Sequence, residues 1–373
     1  MQLSESARVV FDVLAGAGTA TRPQLAAGAG LSKPTVSSAV AELEAAGLAA
    51  HSGTASGATG RSAAVYRLGP AAGAVLAVDL GPSLTRVRGC ALDGTLLAEK
   101  TGTRPEAAGT VREVLQELPA GAPLRAVVVA VGDVTTRDRE GAGERPATAK
   151  AGPVFDAMTV ALPEGVPIHV ENNVNCAALA ELHEGAARGR DTFGYLRIGV
   201  GIGLGIVVGG RVLRGANGAA GEVARLPYPW DDGREPRHEG LERHMGARSL
   251  VRRASRAWRD GDGPCPRSAD RLFALARQGH ATARAVVAAH ATDIGRLAAA
   301  VTAVLDPGLI VLGGATGSDP QLLAGVRAEL ARLSWPTEVV SSVVGDTGTV
   351  AGASRLAVAH GIQTVTGAMT AKH

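Results

Sequence analysis

The sequence predicts an α/β protein with a winged helix-turn-helix at its N-terminus and a larger α/β region in two parts behind it. Three observations carry this. The first 45 residues hold three short stretches of helical hydrophobic spacing, separated by glycine turns and small capping residues. Two short strand patterns then flank a Gly/Ser/Thr loop. Beyond residue 73, apolar strands alternate with helical segments, and a strand runs into glycine turns twice, at 199–205 and at 313–314.

The N-terminal elements follow in order. Val9, Val10, Val13 and Leu14 recur at helical spacing and stop at Gly16-Ala17-Gly18, which predicts a first helix. Thr21-Arg22-Pro23 places a capping hydroxyl and an early proline before Gln24-Leu25-Ala26-Ala27, a second short helix turned by Gly28-Ala29-Gly30. Ser32 caps a third helix, whose inward stripe is Val36, Val40 and Leu43. Lys33, Thr35, Ser37 and Ser38 lie at or near its exposed N-terminal end. That end of a recognition helix enters the major groove, and small polar side chains with one lysine suit base edges and phosphates.

Residues 48–51 and 64–68 predict two strands, with the loop 52–61 between them as the wing. Arg61 is placed there to reach a phosphate or the minor groove. Residues 1–69 carry five Lys/Arg against four Asp/Glu, a net of +1. So little charge gives few phosphate contacts, and a dimer reading two half-sites is the natural way to add affinity. The bland alternative is a dimerisation or docking module that never meets DNA. Residues 68–73 read as a linker.

Composition sets the bounds. At 373 residues the chain exceeds one ordinary core. Hydrophobic residues at 46% and charged residues at 20% support burial, and the net charge of +3 permits nucleic-acid binding without demanding it. No apolar run of about 18 residues is present, so no membrane span is expected. Ser4, Glu5, Arg8 and Asp12 interrupt the start of the chain, unlike a secretory signal, which makes the cytoplasm the expected location. Cys90, Cys176 and Cys265 have no metal-site or disulfide spacing and are expected to be buried or incidental thiols.

In the larger region, residues 74–81 read as a buried strand ending in Asp79-Leu80-Gly81, and 85–94 as its hairpin partner. Further strands are expected at 125–132, 168–170, 195–199 and 309–315, with a helix from about 175 to 188.

The run Val170-Glu171-Asn172-Asn173-Val174-Asn175 and the stretch from Gly199-Val200-Gly201-Ile202-Gly203 to Gly221-Glu222 closely resemble the signature of the ROK family. That family groups sugar kinases with sugar-responsive transcription factors. The resemblance covers nearly the whole chain and is most specific over 194–222. It implies an actin-like, or ribonuclease-H-like, effector region of two lobes, with sugar in the cleft and nucleotide against the glycine turns. The implied boundaries are 1–69 for the winged helix, 70–168 for the first lobe, completed by the C-terminal helix near 353–373, and 169–352 for the second.

The resemblance also assigns roles. Asn173 stands where the family keeps its catalytic aspartate. Asn172, Glu222 and Glu242 match its ligands for sugar hydroxyls, and Arg225 matches a histidine that contacts sugar and metal. Such carboxylates and amides suit a polyol. Asp79, Gly81, Gly201, Gly203, Gly313 and Gly314 match its nucleotide loops. Pro82, however, removes a donor N–H, and Val200 replaces a threonine, so ATP is not expected as a cofactor. The family's zinc motif has no cysteine here over 234–242, so zinc is not expected either, and His238 and His244 are expected to be solvated.

The expected function is therefore that of a transcriptional regulator, a repressor, that binds double-stranded operator DNA as a homodimer or homotetramer. It senses a sugar or sugar derivative in a disabled kinase site and is no enzyme. Two alternatives stay open: a sugar kinase with a DNA-binding regulatory head, and a regulator whose effector region has lost its sugar.

Overall fold

A computed structural model describes residues 3–56, 62–132, 135–137, 144–146, 152–229, 235, 237 and 239–367. The N-terminal part is built of helix α1 (Glu5–Ala17), strand β1 (Thr19–Thr21), helices α2 (Arg22–Ala29) and α3 (Lys33–Ala45), and strands β2 (Ala49–Ser56) and β3 (Ser62–Leu68). The caps are the local cause of these helices. Ser4 Oγ accepts the Ala7 N–H, Thr21 and Gln24 form a capping box, and Ser32 Oγ accepts the Thr35 N–H. Phe11, Leu14, Leu25, Val36, Val40 and Leu43 meet as a fully buried core. The sheet order β1-β3-β2 completes a winged helix-turn-helix.

Two N-terminal expectations need correction. Both wing strands reach further towards the loop than the apolar pattern suggested, because backbone pairing continues through Gly53, Thr54 and Ala55, which carry no apolar signal. The segment after β3 is not a free linker. Residues Pro70–Ala72 form a 3-10 turn, Ala71 N–H donates to Gly47 O, and Arg125 donates to the carbonyls of Ala71 and Ala72 at 2.5 and 3.0 Å.

There follow β4 (Ala74–Leu80), β5 (Leu84–Ala91), β6 (Leu96–Thr103), α4 (Ala107–Glu117), β7 (Leu124–Val131), β8 (Thr135–Arg137), β9 (Glu144–Pro146), α5 (Gly152–Thr159) and β10 (Ile168–Asn172). Next come α6 (Asn173–Glu184), β11 (Phe193–Ile198), β12 (Ile202–Val208), β13 (Arg211–Val212), α7 (Gly240–Met245), α8 (Ala247–Ala257), α9 (Ala269–Arg277) and α10 (Ala281–Leu305). The chain continues through β14 (Leu309–Gly313), α11 (Gly314–Gly317), α12 (Pro320–Leu333), β15 (Glu338–Ser341) and α13 (Gly348–Thr366).

Two compact units result. One holds the described residues of 1–133, 137–171 and 353–373, the other those of 134–136 and 172–352. Each contains a five-stranded sheet, ordered β10-β7-β4-β5-β6 in the first and β15-β14-β11-β12-β13 in the second. The two sheets share one plan. Three consecutive strands form an antiparallel meander, and the first of the three pairs in parallel with a later strand, β4 with β7 and β11 with β14. This repeated plan is the actin-like, ribonuclease-H-like architecture.

Apolar runs explain the central strands. Every residue of β14 is buried, as is all of β4 except Asp79. In β11 the alternation is visible: Leu196 and Ile198 face a core built with α10 and α12, while Phe193 and Tyr195 face a second one containing Val174, Ala177 and Ala178 of α6. Among the described residues, no helix is long and apolar enough to cross a membrane.

Candidate functional site

In the N-terminal module, α3 exposes Lys33, Ser37 and Ser38 while its opposite face is buried. Thr35 is half-buried, and its hydroxyl shares a 2.7 Å hydrogen bond with Ser32 Oγ, so it takes part in the cap. Arg61 lies outside the described residues.

In the second unit, Asn172 ends β10 and caps α6. Its Oδ1 accepts the Val174 N–H at 2.7 Å, and its Nδ2 points at Glu222 Oε1 at 3.4 Å. These two partners fix the amide orientation, since the oxygen must meet the N–H and the NH2 the carboxylate. The helix accordingly starts at Asn173, two residues before the apolar pattern indicates. Glu222 is held by the turn before it, where Leu204 N–H donates to Gly221 O. Its other oxygen, Oε2, lies 3.7 Å from Arg225 Nε. Asn172, Glu222 and Arg225 thus form one polar chain offering amide, carboxylate and guanidinium groups. Asn173 is 5% exposed, and its carbonyl accepts the Thr349 hydroxyl.

Glu242 has a different partner from the other predicted ligands. From α7 its Oε2 faces the turn between β11 and β12, 3.4 Å from Ile202 N. Sequence reasoning placed it among sugar ligands and did not foresee this bond.

The glycine turns have packing explanations. A Cβ on Gly203 would stand 2.9 Å from Val174 Cγ2, and one on Gly205 would stand 2.8 Å from Ala178 Cβ, so these glycines let β12 lie against α6. A Cβ on Gly313 would overlap the Tyr195 ring and hydroxyl, and one on Gly314 would stand 2.6 Å from Ile198 O. Gly201 faces the Glu242 carboxylate. In the first unit, Asp79 stands opposite Arg86 in the β4–β5 register. Arg104 Nη1 donates to the Gly81 carbonyl at 2.8 Å, and Arg104 N–H donates to Ser83 O. That arginine clasps the turn containing Pro82, and its partners, more than twenty residues away in sequence, left no local signal.

His244 corrects another expectation. It is half-buried and paired rather than free in solvent: its Nε2 lies 3.0 Å from Asp293 Oδ2, and its ring stacks on Tyr228 with centroids 4.5 Å apart. Asp293 also accepts from Arg253 Nη1 at 2.5 Å, and Arg253 Nη2 meets His290 Nδ1 at 2.8 Å. His290, Asp293 and Arg296 recur at three-residue spacing on one side of the mostly apolar α10, a pattern by which sequence reading could have found them. His238 lies outside the described residues, and among the described residues no three His, Cys, Asp or Glu side chains are grouped to hold a metal ion. Cys90 and Cys176 are buried and Cys265 is exposed. A cavity of about 860 Å³ opens between α8 and α9, beside Ser255, Cys265 and Arg271, and none of the predicted site residues lines it.

Comparison with known proteins agrees with this architecture. The bifunctional enzyme NanE/NanK of Brucella melitensis is 33% identical over 198 residues, which cover 52% of this chain and 36% of the relative. The chain thus spans about a third of the length of that relative. The ROK hexokinase from Thermus thermophilus superposes with a TM-score of 0.60 at 28% identity, over 76% of this chain and 97% of its own. A ROK family transcriptional regulator, a homologue of the E. coli MLC protein, superposes over 96% of this chain and 97% of its own, with a TM-score of 0.72 at 19% identity. That match shares the fold from the N-terminal module onwards. Residues 76–360 match the profile of the ROK family, and the chain belongs to that family.

Proposed function

We propose that this protein is a DNA-binding transcriptional regulator, a repressor, whose ROK-type region senses a sugar or sugar derivative without phosphorylating it. The observation that carries the reading is the pairing of a winged helix with a sugar-type site in which Asn173 stands in place of a carboxylate base. Lys33, Thr35, Ser37 and Ser38 on α3, together with Arg61, contact DNA. Asn172, Asn173, Glu222, Arg225 and Glu242 contact the effector. A dimer or tetramer pairs the heads on a two-fold operator, and effector binding shifts the population between states of different operator affinity.

Several features favour sensing over turnover. An amide cannot accept a proton as a carboxylate does, and a positioned general base contributes roughly 10²–10⁴ in rate. Phosphoryl transfer further depends on donors and charge around the phosphates. Here Pro82 has no N–H, and Gly203, Gly205, Gly313 and Gly314 are required for internal packing. The residues present therefore fit an ATP site poorly. They fit a zinc site no better, because the segment lacks cysteine and His244 is committed to Asp293.

The kinase relatives support a second reading, a sugar kinase with a DNA-binding head. A coupled assay with ATP and D-glucose, D-xylose or N-acetylmannosamine separates the two. The regulator reading expects no turnover by the wild type or by Asn173→Asp. Wild-type turnover makes the protein a kinase, and turnover by the single variant shows an intact nucleotide site.

A further inference from the structure

A half-buried polar cluster in the second unit lies outside the predicted site. Asp293 on α10 receives His244 from α7 and Arg253 from α8 on the same oxygen, Oδ2, and Arg296 lies 3.6 Å from Oδ1. Burial pushes its carboxyl pKa up, but the hydrogen bonds from His244 and Arg253 outweigh this and hold it below the usual carboxylate range. Arg253 is a permanent donor, so His290 Nδ1 must be its acceptor and the His290 proton sits on Nε2. That Nε2 is buried with no hydrogen-bond partner among the described residues, and so is Arg253 Nε.

Such a cluster is a poor device for stability alone. Each buried unpartnered polar group is destabilising, and apolar side chains of similar volume often replace buried ion pairs without loss. Its geometry suits another purpose. Helix α7 has six residues, too few to hold its place unaided. Glu242 and His244 are two residues apart and so leave the helix on different sides. One side meets the β11–β12 turn through Glu242, and the other is fastened through His244 to Asp293.

We propose that Asp293, acting through His244 and braced by Arg253, is a positioning residue that sets Glu242 against the glycine turn and towards the effector. This rests on the reading of Glu242 as an effector ligand. The cluster governs Glu242 and the turn at 199–202, and through them the affinity for sugar.

Two measurements on the full chain test it. In hydrogen exchange without sugar, Asp293→Asn and His244→Ala should speed exchange at 240–246 and 199–202 while leaving β11 protected. His244→Gln, whose amide N–H can replace the imidazole donor, should restore protection. In calorimetric titration with D-glucose, D-xylose and N-acetylmannosamine, Asp293→Asn and Glu242→Gln should each weaken the binding seen in wild type by about tenfold. The double variant should bind no worse than the weaker single variant. Unchanged exchange at 240–246, or multiplying losses in the double variant, overturns the proposal. If wild type binds none of the three sugars, the claim to sugar affinity falls with the effector reading, and exchange alone decides the mechanical claim.

Discussion

Lowering the pH should destabilise the second unit through one residue, His290. Its side chain is fully buried, and burial first, then the nearby Arg253 charge, lowers its pKa from 6.5 to about 3. Above pH 6.5 the imidazole is neutral in both folded and unfolded chains and contributes nothing. Between 6.5 and 3 the unfolded chain binds a proton that the folded chain refuses, so stability is lost as pH falls. Each pH unit across that window is worth about 1.4 kcal/mol, which gives a loss of roughly 2 kcal/mol at pH 5 from this group alone. Urea unfolding of wild type and His290→Asn at pH 8 and pH 5 isolates it. Asparagine can still accept from Arg253 but cannot titrate, so the variant should lose about 2 kcal/mol less than wild type over that interval. Equal losses would refute the reasoning, as would a His290 imidazole NMR signal in the folded protein that titrates above pH 5.

Three further outcomes are expected. Lys33→Ala should weaken DNA binding and reduce the slope of log affinity against log salt by about one, in gel-shift or fluorescence titrations; an unchanged slope removes Lys33 from the phosphate contacts. Gly205→Ala should destabilise the protein by about 1–3 kcal/mol in denaturant melts, because its methyl would meet Ala178 Cβ at 2.8 Å and Val174 O at 2.9 Å. Elemental analysis of purified protein should find no stoichiometric zinc after dialysis against a mild chelator, and retained metal would show that histidines and carboxylates build a site.

What could be read from sequence was local. Helix α3 announced itself because Ser32 and the stripe of Val36, Val40 and Leu43 act within a few residues of one another. Strands β4, β7, β11 and β14 announced themselves as near-continuous apolar runs, the mark of strands buried on both faces. Edge strand β6 did not, since Glu99, Lys100 and Thr101 give it a surface composition. At the candidate site, Asn172 was legible only through the family resemblance, as a sugar ligand beside Glu222; its contact with Glu222 and its capping of α6 were hidden in a run of three asparagines in four positions. His244 and Asp293 are 49 residues apart, and no pattern in one segment announces a partner in another. The glycines show the same limit, since a phosphate and a neighbouring helix both require the missing Cβ.

Helix α13 has a consequence for how the protein is made. Its residues from 353 onwards belong to the first unit, where Ser354 hydrogen-bonds the Cys90 thiol and His360 stacks on His169 with ring centroids 3.6 Å apart. The second unit is continuous from 172 to 352 apart from the short piece at 134–136. On the ribosome, which delivers roughly 5–20 residues per second, the second unit therefore has its whole sequence available while the first still waits for its closing helix. The unit begun first is finished last, and until then the strands around Cys90 and His169 lack the helix that covers them.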